Sequence, residues 1–346
     1  MMIGISSYGA YVPRFRIKTE DIASVWKKEA EHVTGSLGVT EKSVAATDED
    51  TVTLAYEAAR AALTCGNLPP DRIGSVFVGS ESHPYAVNAT ATIVGEFLGI
   101  GRNYFAADLE FACKAATTGL IATAGLLSAG KISYGLTVGA DCAQAKPHDI
   151  LEYTAASGAG ALIASNIEKE VAVEIVDYLT YSSDTPDFWR RDGISYPSHG
   201  GRFTGEPAYF THVMSAAEEI LSRNKKKPSD FDYCVLHMPN GKFPRIAAKR
   251  LGFSKEQLTP SLTVDSMGNA YSATPLLGLI ATLDVAKPNQ TILFVSYGSG
   301  ASSDAFILRT TSRLLTIQKQ SLSLADLIKN KTYISYVDYL KIRGKI

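Results

Sequence analysis

Two pairs of polar residues are separated by the same distance along this chain. Glu81 and Cys113 are 32 positions apart, and His237 and Asn269 are also 32 apart (113 − 81 and 269 − 237). In each pair the first residue follows an apolar, strand-like run, and the second lies near the start of a long apolar helix. A carboxylate, a thiol, an imidazole and an amide therefore occupy corresponding places. The spacing predicts a duplicated fold whose two halves build one composite site.

The predicted secondary structure around the two pairs follows one order. An apolar strand in DRIGSVFVGSES (71–82) and a helix of small residues in FACKAATTGLIATAGLLSAGK (111–131) contain the first pair. The second pair lies in FDYCVLHMPNGK (231–242) and MGNAYSATPLLGLIATLDVAK (267–287), which repeat the pattern. Alternating strands and Ala-rich helices indicate a layered α/β architecture.

The boundary between the halves is expected near the segment NIEKEVAVEIVDY, which begins at residue 166. We predict an N-terminal half over 1–168 and a C-terminal half over 169–346. The segment 181–205, rich in Ser, Pro and Gly, is too long for a plain connection, which favours a functional insertion. The aromatic and basic tail, 321–346, is expected either to cover the body or to contact a partner.

Composition excludes several classes of protein. The 346 residues carry a net charge of −1, which argues against a basic nucleic-acid-binding surface. The longest uncharged small-and-apolar stretch, 115–130, is shorter than the roughly 20 residues that span a bilayer, and the N-terminus lacks a signal-peptide pattern. The four cysteines form no CxxC motif, so neither a zinc site nor a redox pair is indicated. We therefore expect a cytoplasmic protein that is bound to no membrane.

The first pair has the chemistry of a nucleophile and a base. A helix N-terminus favours a thiolate, and a thiolate at Cys113 can attack a thioester and hold an acyl group. A buried cysteine at the start of a helix is an equally good interpretation. Glu81 follows a buried strand, where a desolvated carboxylate can act as a general base or acid. Taken alone, it is more simply a solvated loop residue.

The second pair has the chemistry of a carbonyl-binding site. His237 ends an apolar run, where an imidazole can donate to a carbonyl oxygen or exchange protons, although a satisfied core histidine fits as well. The Asn269 amide can orient a thioester carbonyl, or it can cap a helix. The glycine turn around Ser299 can offer backbone amides to an oxyanion. Lys242 and Arg245 can meet phosphates, or they can be solvated loop residues.

The motifs that contain these residues, taken together, resemble the archaeal type of 3-hydroxy-3-methylglutaryl-CoA synthase over almost the whole chain. The motifs are GSES with Glu81, EFACKAAT with Cys113, LHMPNGKFPR with His237, GNAYSATPLL with Asn269 and SYGSGASSD with Ser299. The resemblance implies the thiolase fold, an α/β fold with two duplicated βαβαβ-type halves in a five-layered αβαβα arrangement. That expectation agrees with the duplication indicated by the spacing.

The resemblance also implies a Claisen-type condensation. Cys113 would take the acetyl group of acetyl-CoA, and Glu81 would remove a methyl proton. The resulting enolate would attack the ketone of acetoacetyl-CoA, after which Glu81 would return a proton to the alkoxide. Hydrolysis of the Cys113 thioester would release 3-hydroxy-3-methylglutaryl-CoA, an intermediate of the mevalonate route to isoprenoids. His237 would hold the acetoacetyl thioester oxygen, with Asn269 beside it.

Further positions match family contacts to CoA or to the product. The backbone amides of Cys113 and Ser299 are candidates for the oxyanion contacts. The resemblance implies CoA thioesters as substrates, with no cofactor and no metal. The remaining matched contacts, of which the first two are loose matches, are Glu29, Ala30, Thr154, Arg202, Thr204, Lys242 and Arg245.

The resemblance further implies partners. Members of the family form homodimers, and the archaeal type associates with an acetoacetyl-CoA thiolase and a small OB-fold (DUF35-type) scaffold protein. Two rival interpretations of the chain remain. A ketoacyl synthase III also uses Cys, His and Asn, but decarboxylation gives it a carbanion without a base such as Glu81. A non-catalytic thiolase-like subunit would have no use for the four polar residues.

Overall fold

A computed structural model describes residues 2–346, apart from the side chain of Arg202, which lies outside the described part. The strands are β1 (Gly4–Tyr11), β2 (Phe15–Lys18), β3 (Glu41–Val44), β4 (Ser75–Gly79), β5 (Phe105–Leu109), β6 (Tyr134–Cys142), β7 (Ser157–Ser165), β8 (Val173–Ser182), β9 (Phe188–Trp189), β10 (Ser198–His199), β11 (Tyr233–Leu236), β12 (Thr291–Val295), β13 (Ser302–Thr310) and β14 (Thr332–Tyr333). The α-helices are α1 (Thr19–Val25), α2 (Ala30–Leu37), α3 (Thr51–Gly66), α4 (Thr90–Leu98), α5 (Ala115–Ser128), α6 (Phe210–Arg223), α7 (Lys242–Leu251), α8 (Lys255–Leu258), α9 (Val264–Met267), α10 (Ala273–Val285), α11 (Leu314–Gln320), α12 (Leu324–Lys329) and α13 (Tyr336–Ile342).

Nine strands in residues 2–346 form one sheet in the order β11-β12-β13-β8-β1-β7-β6-β4-β5. The sheet is continuous because β1 and β8 pair at its centre, with Gly4 opposite Glu174 and Ile5 opposite Val173. Outward from this pair, β1, β7, β6 and β4 on one side correspond in order to β8, β13, β12 and β11 on the other. Strand β5 extends the first side by one edge strand. We propose that the halves meet as predicted at 168–169, which lies in the connection between β7 and β8.

Helices α5 and α10 form the middle layer of the molecule. Helix α5 packs against β4 and β6, and α10 packs against β7 of the first half and β11 of the second. Both helices bury most of their residues, which is why small and apolar side chains cover them on nearly every face. Helix α3 covers the outer face of β1, β6 and β7, and α6 covers that of β8 and β13. The predicted five-layered α/β arrangement of the thiolase type is confirmed.

The predicted insertion and the tail both pack against this body. The insertion, 181–205, contains the short β9–β10 hairpin. In the tail, β14 pairs with β2, α12 packs on α10 and α13 packs on α1. The tail therefore covers the body, which is one of the two expectations for it. Throughout residues 2–346, every helix is too short or too polar to cross a membrane.

Candidate active site

A cavity of about 340 Å³ lies between the two halves and is lined from both. The α2 end, the segment after β6, the insertion and the loops after β11 and β12 all contribute to its wall. The lining residues are Ser36, Leu37, Cys113, Ile150, Leu151, Thr154, Phe188, His199, Gly201, Thr204, His237, Pro239, Asn240, Lys242, Phe243, Asn269, Tyr271, Tyr297 and Ser299. Three of the four residues that the spacing singled out thus face one cavity.

Cys113 lies two residues before α5, in the short loop that enters the helix. The preceding residue, Ala112, has φ of 43°, a left-handed conformation that side-chain-bearing residues adopt at a cost of about 1–3 kcal/mol. Helix α5 starts directly against the end of β4. The approach is so close that a Cβ on Gly79 would overlap the backbone nitrogen of Ala116. This close approach brings the cysteine loop beside Glu81, which follows β4.

Glu81, the fourth residue of the two spaced pairs, does not line this cavity but contacts the thiol of Cys113. Its Oε1 lies 3.4 Å from Cys113 Sγ. Glu81 itself lines a small adjoining pocket with Ser82, Gln144, Arg190, Pro197 and Tyr271. The structure therefore brings together all four residues of the two spaced pairs.

Asp141 anchors the loop that carries Glu81. This fully buried carboxylate, near the end of β6, accepts hydrogen bonds from Ser80 Oγ (2.8 Å), Glu81 N (2.8 Å) and Ser82 Oγ (2.7 Å). Its second oxygen accepts from Ser272 N, 2.9 Å away, just before α10. One carboxylate thus fixes the loop that carries Glu81 relative to the start of α10.

Burial raises the pKa of both groups in the Glu81–Cys113 pair. Desolvation, followed by the nearby charge of Asp141, raises the pKa of Glu81 to about 8. Desolvation, followed by Glu81 and Asp141, raises the pKa of the Cys113 thiol well above its ordinary value. A lowered thiol pKa from the helix N-terminus, as the sequence suggested, is therefore wrong. Loss of water and two neighbouring carboxyl groups raise the pKa of the thiol, so the resting group is a thiol beside a carboxyl that titrates near neutrality.

His237 presents a neutral imidazole to the cavity. Burial lowers its pKa to about 3, so the ring carries no charge at neutral pH. Neither ring nitrogen has a hydrogen-bond partner among the described residues. The backbone is held instead, because His237 N donates to Val295 O at 2.9 Å and Tyr209 Oη donates to His237 O at 2.8 Å. A buried ring with free polar atoms is suited to donate one hydrogen bond to a bound carbonyl oxygen.

Asn269 has its side-chain oxygen satisfied and its NH₂ group directed to the site. Oδ1 accepts from Tyr271 N at 3.0 Å and from Thr274 Oγ1 at 2.8 Å. A hydrogen bond from the Asn269 side chain partly opposes the rise in the pKa of Cys113. The backbone nitrogen donates to Thr154 O at 2.7 Å. Asn269 thus lines the cavity and also stabilises the turn before α10, so both of its predicted roles are compatible with this geometry.

Ser299 lies in the turn between β12 and β13, opposite the cysteine loop. The turn approaches so closely that a Cβ on Gly298 would overlap Phe111 O. A buried ion pair joins the cysteine loop to β13, with Lys114 Nζ 2.9 Å from Asp304 Oδ1. Within residues 2–346, neither Cys113 N nor Ser299 N donates to a backbone carbonyl. Both amides are therefore available for an oxyanion.

The other predicted contacts are placed less uniformly. Thr154, Thr204 and Lys242 line the cavity, with Lys242 exposed at the first residue of α7. Arg245 instead forms a two-bond ion pair with Asp265, at 2.9 and 2.5 Å. The side chain of Arg202 lies outside the described residues.

The loosely matched pair occupies the far end of a wall helix. Glu29 precedes α2 and Ala30 begins it, whereas Ser36 and Leu37 at its other end line the cavity. The rise of an α-helix puts about 10 Å between the two ends.

Several residues of the site have little signal in the sequence. Tyr271 lines both pockets, and Phe188 packs edge-on against it with ring centroids 6.2 Å apart. Buried Asp187 accepts from Tyr297 Oη and from Gly300 N, each at 2.8 Å, and so ties the insertion to the Ser299 turn. Asp141 had a usable signal, a carboxylate ending an apolar run 28 residues after Cys113. Among the described residues, no group of three or more His, Cys, Asp or Glu side chains has a metal-binding arrangement.

Comparison with known proteins places this site in a family. A family model described as 3-oxoacyl-[acyl-carrier-protein (ACP)] synthase III C terminal matches residues 221–310. Hydroxymethylglutaryl-CoA synthase of Archaeoglobus fulgidus is 55% identical over 345 residues, covering 100% of this chain and 99% of the relative. The enzyme of the same name from Methanosarcina barkeri is 52% identical over 346 residues, with the same coverage.

A solved structure supports the fold independently. The structure of MvaS in complex with 3-hydroxy-3-methylglutaryl coenzyme A superposes with a TM-score of 0.90 at 23% identity, covering 99% of this chain and 91% of that one. At that identity the likeness concerns the fold. The two relatives that share more than half of their residues over the full length decide the family: the chain belongs to the hydroxymethylglutaryl-CoA synthases.

Proposed function

We propose that this chain condenses acetyl-CoA with acetoacetyl-CoA and water to give (S)-3-hydroxy-3-methylglutaryl-CoA and CoA, through an acetyl-Cys113 intermediate. The observation that carries the proposal is the buried Glu81–Cys113 contact of 3.4 Å beside a cavity that His237 and Asn269 also line. A nucleophile, a base that titrates near neutrality and two hydrogen-bonding groups are the parts that this condensation needs.

In the first step Cys113 takes the acetyl group. The thiol is protonated at rest, because burial and two carboxyl groups raise its pKa. Ionised Glu81 accepts the thiol proton as sulfur attacks the thioester carbonyl, and the amides of Cys113 and Ser299 stabilise the oxyanion. The carbon–sulfur bond to CoA then breaks, and the departing CoA sulfur takes the proton from Glu81.

In the second step Glu81 acts on the acetyl methyl group. Its carboxylate removes a proton, and the enolate carbon attacks the ketone carbon of acetoacetyl-CoA. His237 donates a hydrogen bond to the acceptor thioester oxygen while Asn269 lies beside it, and Glu81 returns the proton to the new alkoxide. Water then hydrolyses the Cys113 thioester. A carboxyl pKa of about 8 suits a group that must both take and give a proton.

The remaining matched residues would hold CoA. Thr154 and Thr204 line the cavity, which supports contacts to the acyl chain or the pantetheine arm. Exposed Lys242 at the cavity is suited to a phosphate. For Arg245 the same role requires the phosphate to compete with Asp265. The roles of Arg202, Glu29 and Ala30 rest on the motif match alone.

Product analysis tests this function against its main rival. The protein would be incubated with acetyl-CoA plus acetoacetyl-CoA, or with acetyl-CoA plus a malonyl thioester, and the products separated by mass. We expect 3-hydroxy-3-methylglutaryl-CoA from the first mixture and no decarboxylative condensation in the second. A product only from the malonyl donor would identify a ketoacyl synthase instead. A Cys113→Ala variant, which lacks the nucleophile, serves as the blank.

His237→Ala separates the two substrate roles. The imidazole is assigned to the acceptor, so the variant should acetylate Cys113 at a near-native rate while its KM for acetoacetyl-CoA rises. Loss of one hydrogen bond to a carbonyl predicts an increase of about tenfold. Equal losses in acetylation and condensation would contradict the assignment.

We further propose that the protein acts in the cytoplasm, in the mevalonate route, as a homodimer. The exposed edge of β5 supports dimerisation, because Phe105 is 52% exposed there and nearby Phe97 is 70% exposed. Such apolar surface on an unpaired edge favours a protein contact.

A complex with an acetoacetyl-CoA thiolase and a DUF35-type OB-fold scaffold would supply acetoacetyl-CoA where it is consumed. Consumption would pull the unfavourable thiolase step forward. Co-purification from the native host tests this assembly: both partners should elute with the chain, and an isolated dimer would contradict it.

A further inference from the structure

The C-terminal helix α13 packs beside one wall of the substrate cavity. Its Tyr336 and Tyr339 are buried in a hydrophobic cluster that also contains Tyr153, Ile17 and Ile22. Tyr153 belongs to the short 3-10 turn Ile150–Tyr153, which follows β6. The last residues of the chain thus contact a turn that belongs to the site.

Glu152, in the middle of that turn, is fully buried and held by three donors. Its Oε1 accepts from Tyr336 Oη at 2.8 Å. Its Oε2 accepts from Trp26 Nε1 at 2.9 Å and from His148 N at 2.8 Å. A buried carboxylate is stable only with such partners, and Tyr336 is the donor that α13 contributes.

Lys42 binds the same turn from the opposite side. Its buried Nζ donates to the backbone oxygen of Glu152 and lies 3.3 Å from Tyr339 Oη. Lys42 Nζ also lies 4.6 Å from the centre of the Tyr339 ring. In α13, Tyr336 therefore contacts the Glu152 carboxylate and Tyr339 contacts Lys42. The side chains of Glu152 and Lys42, which hold the turn in place, both depend on this helix.

The turn Ile150–Tyr153 forms part of the cavity wall, so its position affects the shape of the cavity. Ile150, Leu151 and Thr154 line the cavity on either side of Glu152. Leu151 O accepts from Thr154 N at 3.1 Å, and Thr154 O accepts from Asn269 N at 2.7 Å. A shift of Glu152 would therefore move the cavity wall that Ile150, Leu151 and Thr154 form.

We propose that Glu152, Tyr336 and Lys42 are positioning residues, through which the C-terminal helix fixes the cavity wall against which a CoA thioester binds. The inference rests on the proposed function for the identity of the ligand. None of the three is assigned a contact with substrate. Their loss is expected to weaken CoA binding and to spare the acetylation chemistry at Cys113.

The chain offers a closely matched pair of variants. Tyr336→Phe removes the hydroxyl that reaches Glu152 and keeps the ring in its cluster. Tyr333→Phe removes a hydroxyl from the same tail, which donates to Glu41 at 2.6 Å and not to the turn. Trp26→Phe removes a second donor to Glu152 and tests the same carboxylate from the residue that follows α1.

The primary measurement is calorimetric titration with free CoA, which requires no turnover. Hydrogen bonds to charged groups contribute enough that we expect Kd to rise about fivefold in Tyr336→Phe and Trp26→Phe, and about twofold or less in Tyr333→Phe. At saturating acetyl-CoA, the rate of Cys113 acetylation should match that of the native protein in all three variants. An unchanged Kd in both of the first two variants would overturn the inference, as would an equal rise in Tyr333→Phe.

The same titration separates the two proposals. A native chain that binds CoA but forms no 3-hydroxy-3-methylglutaryl-CoA would refute the proposed function. The comparison of Kd between the variants would still decide whether α13 positions the wall. Should Tyr336→Phe fail to fold, Trp26→Phe against Tyr333→Phe still decides whether the donors to Glu152 position the wall.

Discussion

The raised pKa of Glu81 predicts how condensation depends on pH. As the base, Glu81 must be ionised, and a pKa of about 8 leaves roughly a tenth of it ionised at pH 7 and about nine tenths at pH 9. The rate of condensation should therefore rise about tenfold between these pH values. Acetylation removes the thiol hydrogen bond that lowers this pKa, so the midpoint in the acetyl-enzyme should lie near pH 8 or above.

The assay is a single turnover that starts from the acetylated protein. Acetyl-Cys113 is formed first, acetoacetyl-CoA is added at each pH from 6 to 9.5, and product is quantified after rapid quenching. Arg190 lowers the pKa of Glu81, so Arg190→Gln should move the midpoint to higher pH. Neighbouring exposed Arg191→Gln is the control and should leave it in place. A rate that is flat from pH 6 upward, or a midpoint near 4.5, would refute a buried base.

Protein stability gives an independent check on the same group. Between the ordinary pKa of 4.5 and about 8, folded Glu81 holds a proton that the unfolded chain has released. Its contribution therefore destabilises the fold increasingly as pH rises through this window. Glutamine does not titrate, so Glu81→Gln lacks this destabilisation. Its gain in unfolding free energy over the native protein should therefore grow from pH 4.5 to 8. A constant difference across that window would contradict the raised pKa.

Two further predictions concern the support of the cysteine loop. Lys114→Met leaves Asp304 buried without its cation, which should cost about 3–5 kcal/mol in unfolding free energy. The control Lys131→Met, at an exposed position, should change the unfolding free energy by about 0.5 kcal/mol or less. Urea unfolding measures both variants, and equal stability of the two would contradict the buried ion pair. Gly79→Ala puts a methyl group into the start of α5, which should lower the unfolding free energy by about 1–3 kcal/mol and slow acetylation of Cys113. The control Gly125→Ala, on the open face of α5, should be neutral or slightly stabilising. Native-like acetylation in Gly79→Ala would show that the close approach of α5 to β4 is unimportant.

The parts of the fold with strong periodicity could be predicted from the sequence. The runs around 75–79 and 134–142 are strands, and the small-residue stretches after Cys113 and Asn269 are the two central helices. Strand β5, FAADL, lies at an exposed edge and lacks the apolar pattern of a buried strand. Strand β12 ends at Val295, because the chain there turns to carry Ser299 beside the cysteine loop.

The site could be predicted in part because its chemistry is local to five short motifs. The pKa of Cys113 could not, because it is set by burial and by carboxyl groups from β6 and the loop after β4. The local sequence shows only that Cys113 lies near a helix N-terminus, and it shows neither the burial nor the two carboxyl groups that raise the pKa of the thiol. Likewise, the Arg245–Asp265 ion pair joins α7 to α9, and only the packing of those helices reveals it.

Glu81→Ala tests most directly whether a carboxylate base drives the condensation. The variant would be treated with acetyl-CoA and the peptide containing Cys113 weighed, then acetoacetyl-CoA would be added and the products measured. We predict that Cys113 still gains one acetyl group, more slowly than in the native protein because Glu81 no longer accepts the thiol proton, and that almost no 3-hydroxy-3-methylglutaryl-CoA forms from the acetylated variant. Condensation at a near-native rate in this variant would contradict the account.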